Sequence, residues 1–208
     1  MESGQSEPAL IVNIRGIVME RCQWVTDQAR YIAYHDEEWG RPTRDDRELF
    51  ELLCLEGAQA GLSWWNILKR RDAYREAFDQ FDPAKIRQYD ETKIEQLLAN
   101  DGIIRNRLKI ESVIKNAKAY ERVTERCGSF SAYIWQFVEN QPIQNAWKHP
   151  EEVPAITELS TRMSKQMKKD GFSFVGPTIC YAYMQSAGLV NDHLTRCCCY
   201  EPVKALSE

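Results

Sequence analysis

The 208-residue chain is predicted to be all-α, and three observations carry that expectation. Apolar residues recur at helical spacing over most of its length, helix start and stop signals punctuate them, and no run alternates with period two between hairpin turns. The one stretch with β character is "IVNIRGIV" at 11–18, ahead of every helical segment.

The elements follow in order. "DDRELFELLCLEG" (45–57) opens on acidic residues and has Gly57 at its end. "SWWNILKRRDAYREAF" (63–78) starts at Ser63, a candidate N-cap. In "DPAKIRQY" (82–89) Asp82 is placed as cap and Pro83 as first helical residue, and "DETKIEQLLAN" (90–100) repeats the pattern with Asp90. "RNRLKIESVIKNAKAYERVTERCG" (105–128) reads as a long amphipathic helix closed by Gly128. "SFSAYIWQFV" (129–138) and "ELSTRMSKQMKKDG" (158–171) complete the set. Prolines and polar residues interrupt the helices at 141–156, the softest boundary in the chain. Residues 1–18 read as an N-terminal extension, and 19–208 as a single helical domain.

Composition narrows the function classes. A hydrophobic fraction of 43% with 28% charged residues is ordinary for a globular chain able to bury a core. The net charge of −4 gives no bulk signal for nucleic acid, although total charge hides local patches. "KRRDAYR" (69–75), "RNRLK" (105–109) and "RMSKQMKK" (162–169) are such patches, each of which by itself reads as a solvated helix face. No secretory signal or membrane span is indicated, so the expected setting is cytoplasmic and reducing. A disulfide framework is then not expected from the seven cysteines.

The cysteines have another use. His193 and Cys197 in "NDHLTRCCCY" are four apart, which on a helical turn puts them on one face. A second pair of the same types, Cys22 and His35, lies near the other end of the chain. Two His and two Cys make a complete tetrahedral set for Zn²⁺, with no position left for water, so the ion would be structural. It would clip the two ends of the chain together. Cys198 or Cys199 could replace Cys197, but neither has the four-residue relation to His193. Cys54, Cys127 and Cys180 sit in apolar helical contexts and read as core residues.

Candidate chemistry gathers elsewhere. Trp24, Tyr31, Tyr34, Trp39, Trp64 and Trp65 form a dense aromatic set, with Tyr31 and Tyr34 neighbours on a helix. Glu56 stands at a helix end before a small-residue turn carrying Gly61 and Leu62. A carboxylate among indoles and phenols suits a flat, cationic, aromatic ligand, through cation–π attraction and charge-assisted hydrogen bonds. "GFSFVGPT" (171–178) places two glycines around an apolar turn before Pro177 restarts a helix, and such a turn can present N–H groups to a phosphate.

Taken together, "MERCQWV", "YIAYHDEEWGRP", "LFELLCLEGAQAGLSW", "GIIRNRLKI", "GFSFVGPTICYAYMQSAGLVNDH" and "CCCY" resemble the 3-methyladenine DNA glycosylase I family of the helix-hairpin-helix superfamily. The motifs span residues 19–200 in one order. The resemblance implies two helical subdomains around a cleft, with "GFSFVGPT" as the DNA-binding hairpin through Phe174, Gly176 and Thr178. It puts the zinc ligands of that family on Cys22, His35, His193 and Cys197, one structural ion per chain. It carries the base-reading groups over to Glu56 and Tyr34, the aromatic walls to Trp24, Tyr31 and Trp64, and the wedge that fills the gap in the duplex to Gly61 and Leu62.

The implied activity is hydrolysis of the glycosidic bond of everted 3-methyladenine in alkylated double-stranded DNA, by a monomer, with no membrane partner. One departure from the superfamily stands out. Where many members carry an aspartate after the hairpin helix, this chain reads "GLVNDH", giving Asn191, or Asp192 with a register shift. No lysine occupies the place of a Schiff-base nucleophile, so a monofunctional enzyme is expected, with Glu56 the candidate group to activate water. Two other classes compete: a zinc-stabilised helical DNA-binding module without activity, and a thiol oxidoreductase built on 197–199. The first leaves a carboxylate among aromatics unexplained. The second would favour a C-x-x-C at a helix N-terminus, which this chain lacks.

Overall fold

A computed structural model describes residues 11–12 and 18–207; the remainder of the expected extension at 1–18 lies outside the described residues. In chain order the elements are β1 (Ile11–Val12), β2 (Val18–Met19), α1 (Ala29–Glu37), α2 (Asp46–Gln59), α3 (Trp64–Leu68), α4 (Arg71–Ala77), α5 (Pro83–Ile86), α6 (Glu91–Ala99), α7 (Arg107–Cys127), α8 (Phe130–Trp135), β3 (Ile143–Gln144), α9 (Glu158–Lys169), α10 (Pro177–Ser186), β4 (Val190–Asn191) and α11 (Tyr200–Lys204). The chain is thus mostly helical. Its strands are two-residue pieces, β1 antiparallel to β2 and β3 parallel to β4. Among the described residues no helix is long and apolar enough to cross a membrane.

The described residues divide into two compact units, one formed by those up to 42 with 141–154 and 185–207, the other by 43–140 and 155–184. In the larger unit α2 is buried on every side, from Leu49 to Ala58, and packs against α3, α7 and α8. A helix buried on all its faces belongs in the middle of a core, and two glutamates, Glu51 and Glu56, are buried with it. Its first turn also organises a neighbour. The Asp46 carboxylate accepts from Phe130 N at 3.0 Å and Ser131 N at 2.7 Å, satisfying open N–H groups at the start of α8. Asp45, Asp82, Asp90, Asn106 and Ser129 cap α2, α5, α6, α7 and α8 through their side chains. Each removes one orphan donor, an interaction typically worth about 1 kcal/mol.

Three local expectations need correction. The segment 63–78 is two helices, because Arg70 N bonds Ile67 O in a tightened turn while the Arg70 guanidinium takes the Asn66 carbonyl at 3.0 Å. Ser63 stands at the N-cap of α3 without a capping hydrogen bond, and its hydroxyl accepts from Asn66 Nδ2 instead. Gly57 does not end α2, which runs on to Gln59. A Cβ at Gly57 would lie 3.2 Å from Phe174 Cβ, so this glycine serves close approach rather than helix termination.

In the smaller unit Cys22, Leu194, Cys197, Cys199 and Val203 form a buried cluster, ringed by Trp24, Trp39, Trp147, Val153 and Cys198. A bridge between Glu20 and Cys197 draws the two ends of this unit side by side, with Cys198 N donating to Glu20 O at 2.9 Å.

Candidate functional site

Four donor residues converge in the smaller unit. Cys22, His35, His193 and Cys197 are all buried, and their ligating atoms lie within 4.8 Å of one another, a set able to hold a metal ion. Cys197 Sγ is 3.4 Å from His35 Nε2 and 3.5 Å from His193 Nδ1, and Cys22 Sγ is 3.7 Å from His193 Nδ1. His35 comes from α1. His193 and Cys197 are not on a helix as their spacing suggested, because residues 192–199 run through successive turns after β4.

The surroundings fix which nitrogen of each ring faces the centre. His35 Nδ1 donates to Asp36 Oδ1 at 2.7 Å, and Arg21 grips the same carboxylate through Nε at 2.9 Å. His193 Nε2 donates to the Trp39 carbonyl at 3.0 Å. These acceptors take the ring protons, leaving lone pairs on His35 Nε2 and His193 Nδ1, the two atoms nearest the thiols. Burial alone would push the Asp36 carboxyl up, but the hydrogen bonds from Arg21 and His35 outweigh it and hold the group below its usual range. Cys22 and Cys197 titrate as a pair: hydrogen bonds from Cys198, Cys199 and Cys22 hold the Cys197 thiol below the ordinary range, and the same bond to Cys197 pushes the Cys22 thiol up. Asp36, Arg21 and the Trp39 carbonyl were missed from the sequence. The adjacency of Asp36 to His35 and of Arg21 to Cys22 was the available signal.

The aromatic residues of this unit abut the centre. The Trp24 ring lies 5.2 Å from Tyr31, 6.4 Å from Tyr34 and 5.2 Å from His35. Tyr31 and Tyr34 are buried, on the same helix as His35. Asp192 is buried too. Its carboxylate accepts from Asn145 Nδ2 at 2.7 Å, Trp147 Nε1 at 2.8 Å and Gln185 Nε2 at 2.8 Å, so it ties three segments together. Asn191 donates to Gln144 Oε1 and the Tyr200 carbonyl.

The remaining candidates belong to the larger unit. Glu56 is 4% exposed in the last turns of α2, and Trp64 is buried at the start of α3. Between them Gln59–Leu62 forms a tight turn: Leu62 N bonds Gln59 O at 2.7 Å, Ala60 has φ −43° and ψ 118°, and Gly61 has φ +77°. Those values define a type II turn, which requires a left-handed residue at its third position and explains the glycine. Gly61 and Leu62 are exposed at its tip. The link 170–176 from α9 to α10 carries Phe174 at φ +54°, an uncommon conformation for a bulky residue. Phe174 and Gly176 are half-buried and Thr178 is exposed in the first turn of α10. Phe174 thus lies against the backbone of Gly57, the residue next to Glu56.

Comparison with known proteins gives these features a context. Residues 24–200 match the methyladenine glycosylase family. The chain is 53% identical over 180 residues to the DNA-3-methyladenine glycosylase of Haemophilus influenzae, covering 86% of this chain and 97% of that protein. A crystal structure of 3-methyladenine DNA glycosylase I superposes with a TM-score of 0.85 at 49% identity, covering 87% of this chain and 100% of its own. A variant of 3-methyladenine DNA glycosylase I in complex with 3-methyladenine superposes with a TM-score of 0.82 at 35% identity, over 84% and 94% of the two chains. With a family match across most of its length and a relative above half identity, the chain belongs to the methyladenine glycosylase family.

Proposed function

We propose that this chain is a DNA-3-methyladenine glycosylase, which everts the damaged nucleotide and hydrolyses its glycosidic bond. The observation that carries the reading is a buried carboxylate, Glu56, within a chain that is 53% identical over 180 residues to an enzyme of that name. Removing the base from the stack costs a few kcal/mol, which a wedge at Gly61 and Leu62 would offset by filling the gap. The exposure of that turn supports the role. The helix-hairpin-helix reading of 158–186 assigns Phe174, Gly176 and Thr178 to the DNA backbone, and the open N–H groups at the start of α10 suit a phosphate.

Methylation at N3 makes the purine cationic, so the C1′–N9 bond is already weakened. That bond breaks with its electron pair passing to the base, neutral 3-methyladenine leaves, and a water oxygen bonds to C1′ as its proton passes to Glu56 or solvent. Glu56 favours the cationic base over neutral adenine by charge and by hydrogen bonding, with Tyr34 as a second reader and Trp24, Tyr31 and Trp64 as walls. Asp192 has three donors on its carboxylate, which supports a tying role rather than a catalytic one.

The metal of this reading is zinc, one per chain. With Zn–S near 2.3 Å and Zn–N near 2.0–2.1 Å, a tetrahedral N···S edge is about 3.6 Å. The 3.4, 3.5 and 3.7 Å separations bracket that value. A closed set of this kind supplies structure rather than Lewis acidity. None of the seven cysteines is in a disulfide, as suits a reducing, intracellular setting. The active species is a monomer acting on duplex DNA, without lyase activity.

The test is base release from methylated duplex DNA, resolved by chromatography, for the parent and Glu56→Gln. The parent should release 3-methyladenine and leave 7-methylguanine, and the variant should be about 10–100-fold slower, the loss expected for one charge-assisted bond. Equal rates would remove the reading role of Glu56. A zinc-loaded parent that binds DNA and releases nothing would instead establish the non-catalytic DNA-binding module.

A further inference from the structure

The turn at 59–62 is held from outside. Lys109, in the first turn of α7, donates from Nζ to the Ala58 carbonyl and to the Ala60 carbonyl, both at 2.7 Å. Ala58 O is one of the last carbonyls of α2, beyond the reach of intrahelical donors, and a cation there complements the helix dipole. The Ala60 carbonyl matters more. Type I and type II turns differ by a flip of their central peptide plane, here the one joining Ala60 and Gly61. A donor fixed on Ala60 O holds that plane and hence the direction in which Gly61 and Leu62 project. Burial lowers the Lys109 pKa from its ordinary value, in keeping with an amine drawn out of water.

The same face of α7 holds a second loop. Two turns beyond Lys109, Asn116 is 2% exposed; it accepts from Ser173 N at 2.7 Å and donates to Ser173 O at 3.2 Å. One rigid helix thereby grips both the 59–62 turn and the link that carries Phe174.

From this geometry we infer that Lys109 is a positioning residue for base eversion, locking the 59–62 turn so that Leu62 projects as a preformed wedge. The inference rests on the reading of Leu62 as that wedge. It assigns Lys109 no contact with DNA, although the residue lies in a basic stretch.

Single-strand substrate separates the roles, because no stacked partner strand needs to be displaced. Release of 3-methyladenine is measured under single-turnover conditions from methylated duplex and from the same DNA denatured. The proteins are the parent, Lys109→Met, Lys109→Arg and Leu62→Ala. Lys109→Met, which keeps the methylene stem, should slow release from duplex about tenfold or more, with single-strand release within about twofold, as for loss of eversion energy alone. Lys109→Arg, able to donate to both carbonyls, should recover most of the duplex rate. Leu62→Ala should reproduce the duplex-selective loss. The slope of log affinity against log salt should be the same for Lys109→Met and parent, whereas a lost phosphate contact would reduce it by about one. Equal slowing on both substrates, or a reduced salt slope, would overturn the inference. So would a duplex-selective loss in Leu62→Ala that Lys109→Met does not share. If Leu62→Ala loses nothing selectively, the wedge reading falls first and takes the role of Lys109 with it.

Discussion

If the four-residue centre holds the proposed zinc, its removal should lower the melting temperature by roughly 12 °C. The magnitude follows from where the ligands sit in the chain. Cys22 and Cys197 close a loop of about 175 residues, and a cross-link of that span removes about 5 kcal/mol of chain entropy from the unfolded state in the loop-closure treatment. A 208-residue protein unfolds with an entropy of about 0.44 kcal/mol/K near its midpoint, which converts 5 kcal/mol to roughly 12 °C. The assay is thermal unfolding by circular dichroism, before and after chelation, alongside metal content per chain by mass spectrometry. In Cys22→Ser the melting temperature should no longer respond to chelator. Excision per folded molecule at 20 °C should change little, because a closed ligand set offers the substrate no coordination position. Purified protein with no stoichiometric metal, or a chelated midpoint within about 2 °C of the loaded one, would refute the reasoning.

Two further perturbations test the surroundings of the site. Gly188 has φ +71°, and a Cβ there would lie 2.2 Å from Arg41 C and 2.3 Å from Pro42 N, so Gly188→Ala should lose about 2–5 kcal/mol in a urea titration; a loss under about 1 kcal/mol would contradict the packing described. Asp170 follows the sign of its titration. Burial would raise its pKa, but hydrogen bonds from Arg126, Gln166 and Tyr133 prevail and hold it below the usual value. Its contribution is therefore complete above the unfolded pKa of about 3.9 and is lost as pH falls through the lower folded value. The stability gap between parent and Asp170→Asn should be full at pH 6 and shrink toward pH 3, and a gap independent of pH would count against it.

Legibility in the sequence tracked the range of the interaction concerned. The caps at Asp82 and Asp90 were readable because a cap involves residues two or three apart. The pairing of His193 with Cys197 was found through helical spacing although the segment is a run of turns, since a turn also returns the chain to itself after four residues. The basic stretches show where reading failed. In "RNRLK", Arg107 is engaged by Glu91, Glu95 and Glu111, while Lys109 turns inward to two carbonyls. In "KRRDAYR", Arg71 and Arg75 both serve Glu51. Neither is simply a solvated face. Apart from Glu111, one turn on from Arg107, the partners lie 12–51 residues away on other elements, and charge counting along the chain has no access to them. The Trp39 carbonyl on His193 is still less visible, because any residue type could supply that atom.

Two buried glutamates on one helix give the sharpest contrast that remains. Glu51 and Glu56 both lie within α2 and are 6% and 4% exposed. Glu51 accepts from Arg71 Nε and, at 3.0 Å through both oxygens, from Arg75 Nε, so its charge is answered by two guanidinium groups. A carboxylate so engaged cannot read a cationic base without giving up an arginine, so the reading role of the proposed mechanism does not pass to Glu51. The two glutamine variants should therefore separate. Glu51→Gln leaves buried guanidinium charge without its counterion, a loss of about 3–5 kcal/mol, and so should melt roughly 7–11 °C low while keeping its excision rate per folded molecule. Glu56→Gln keeps the side chain's shape and, if Glu56 serves the base, should lose excision while melting closer to the parent than Glu51→Gln. Melting curves and single-turnover rates on the same preparations decide it. If Glu51→Gln abolished excision at full stability, the helix would be reading the base from its other carboxylate, and Glu56 would be the structural one.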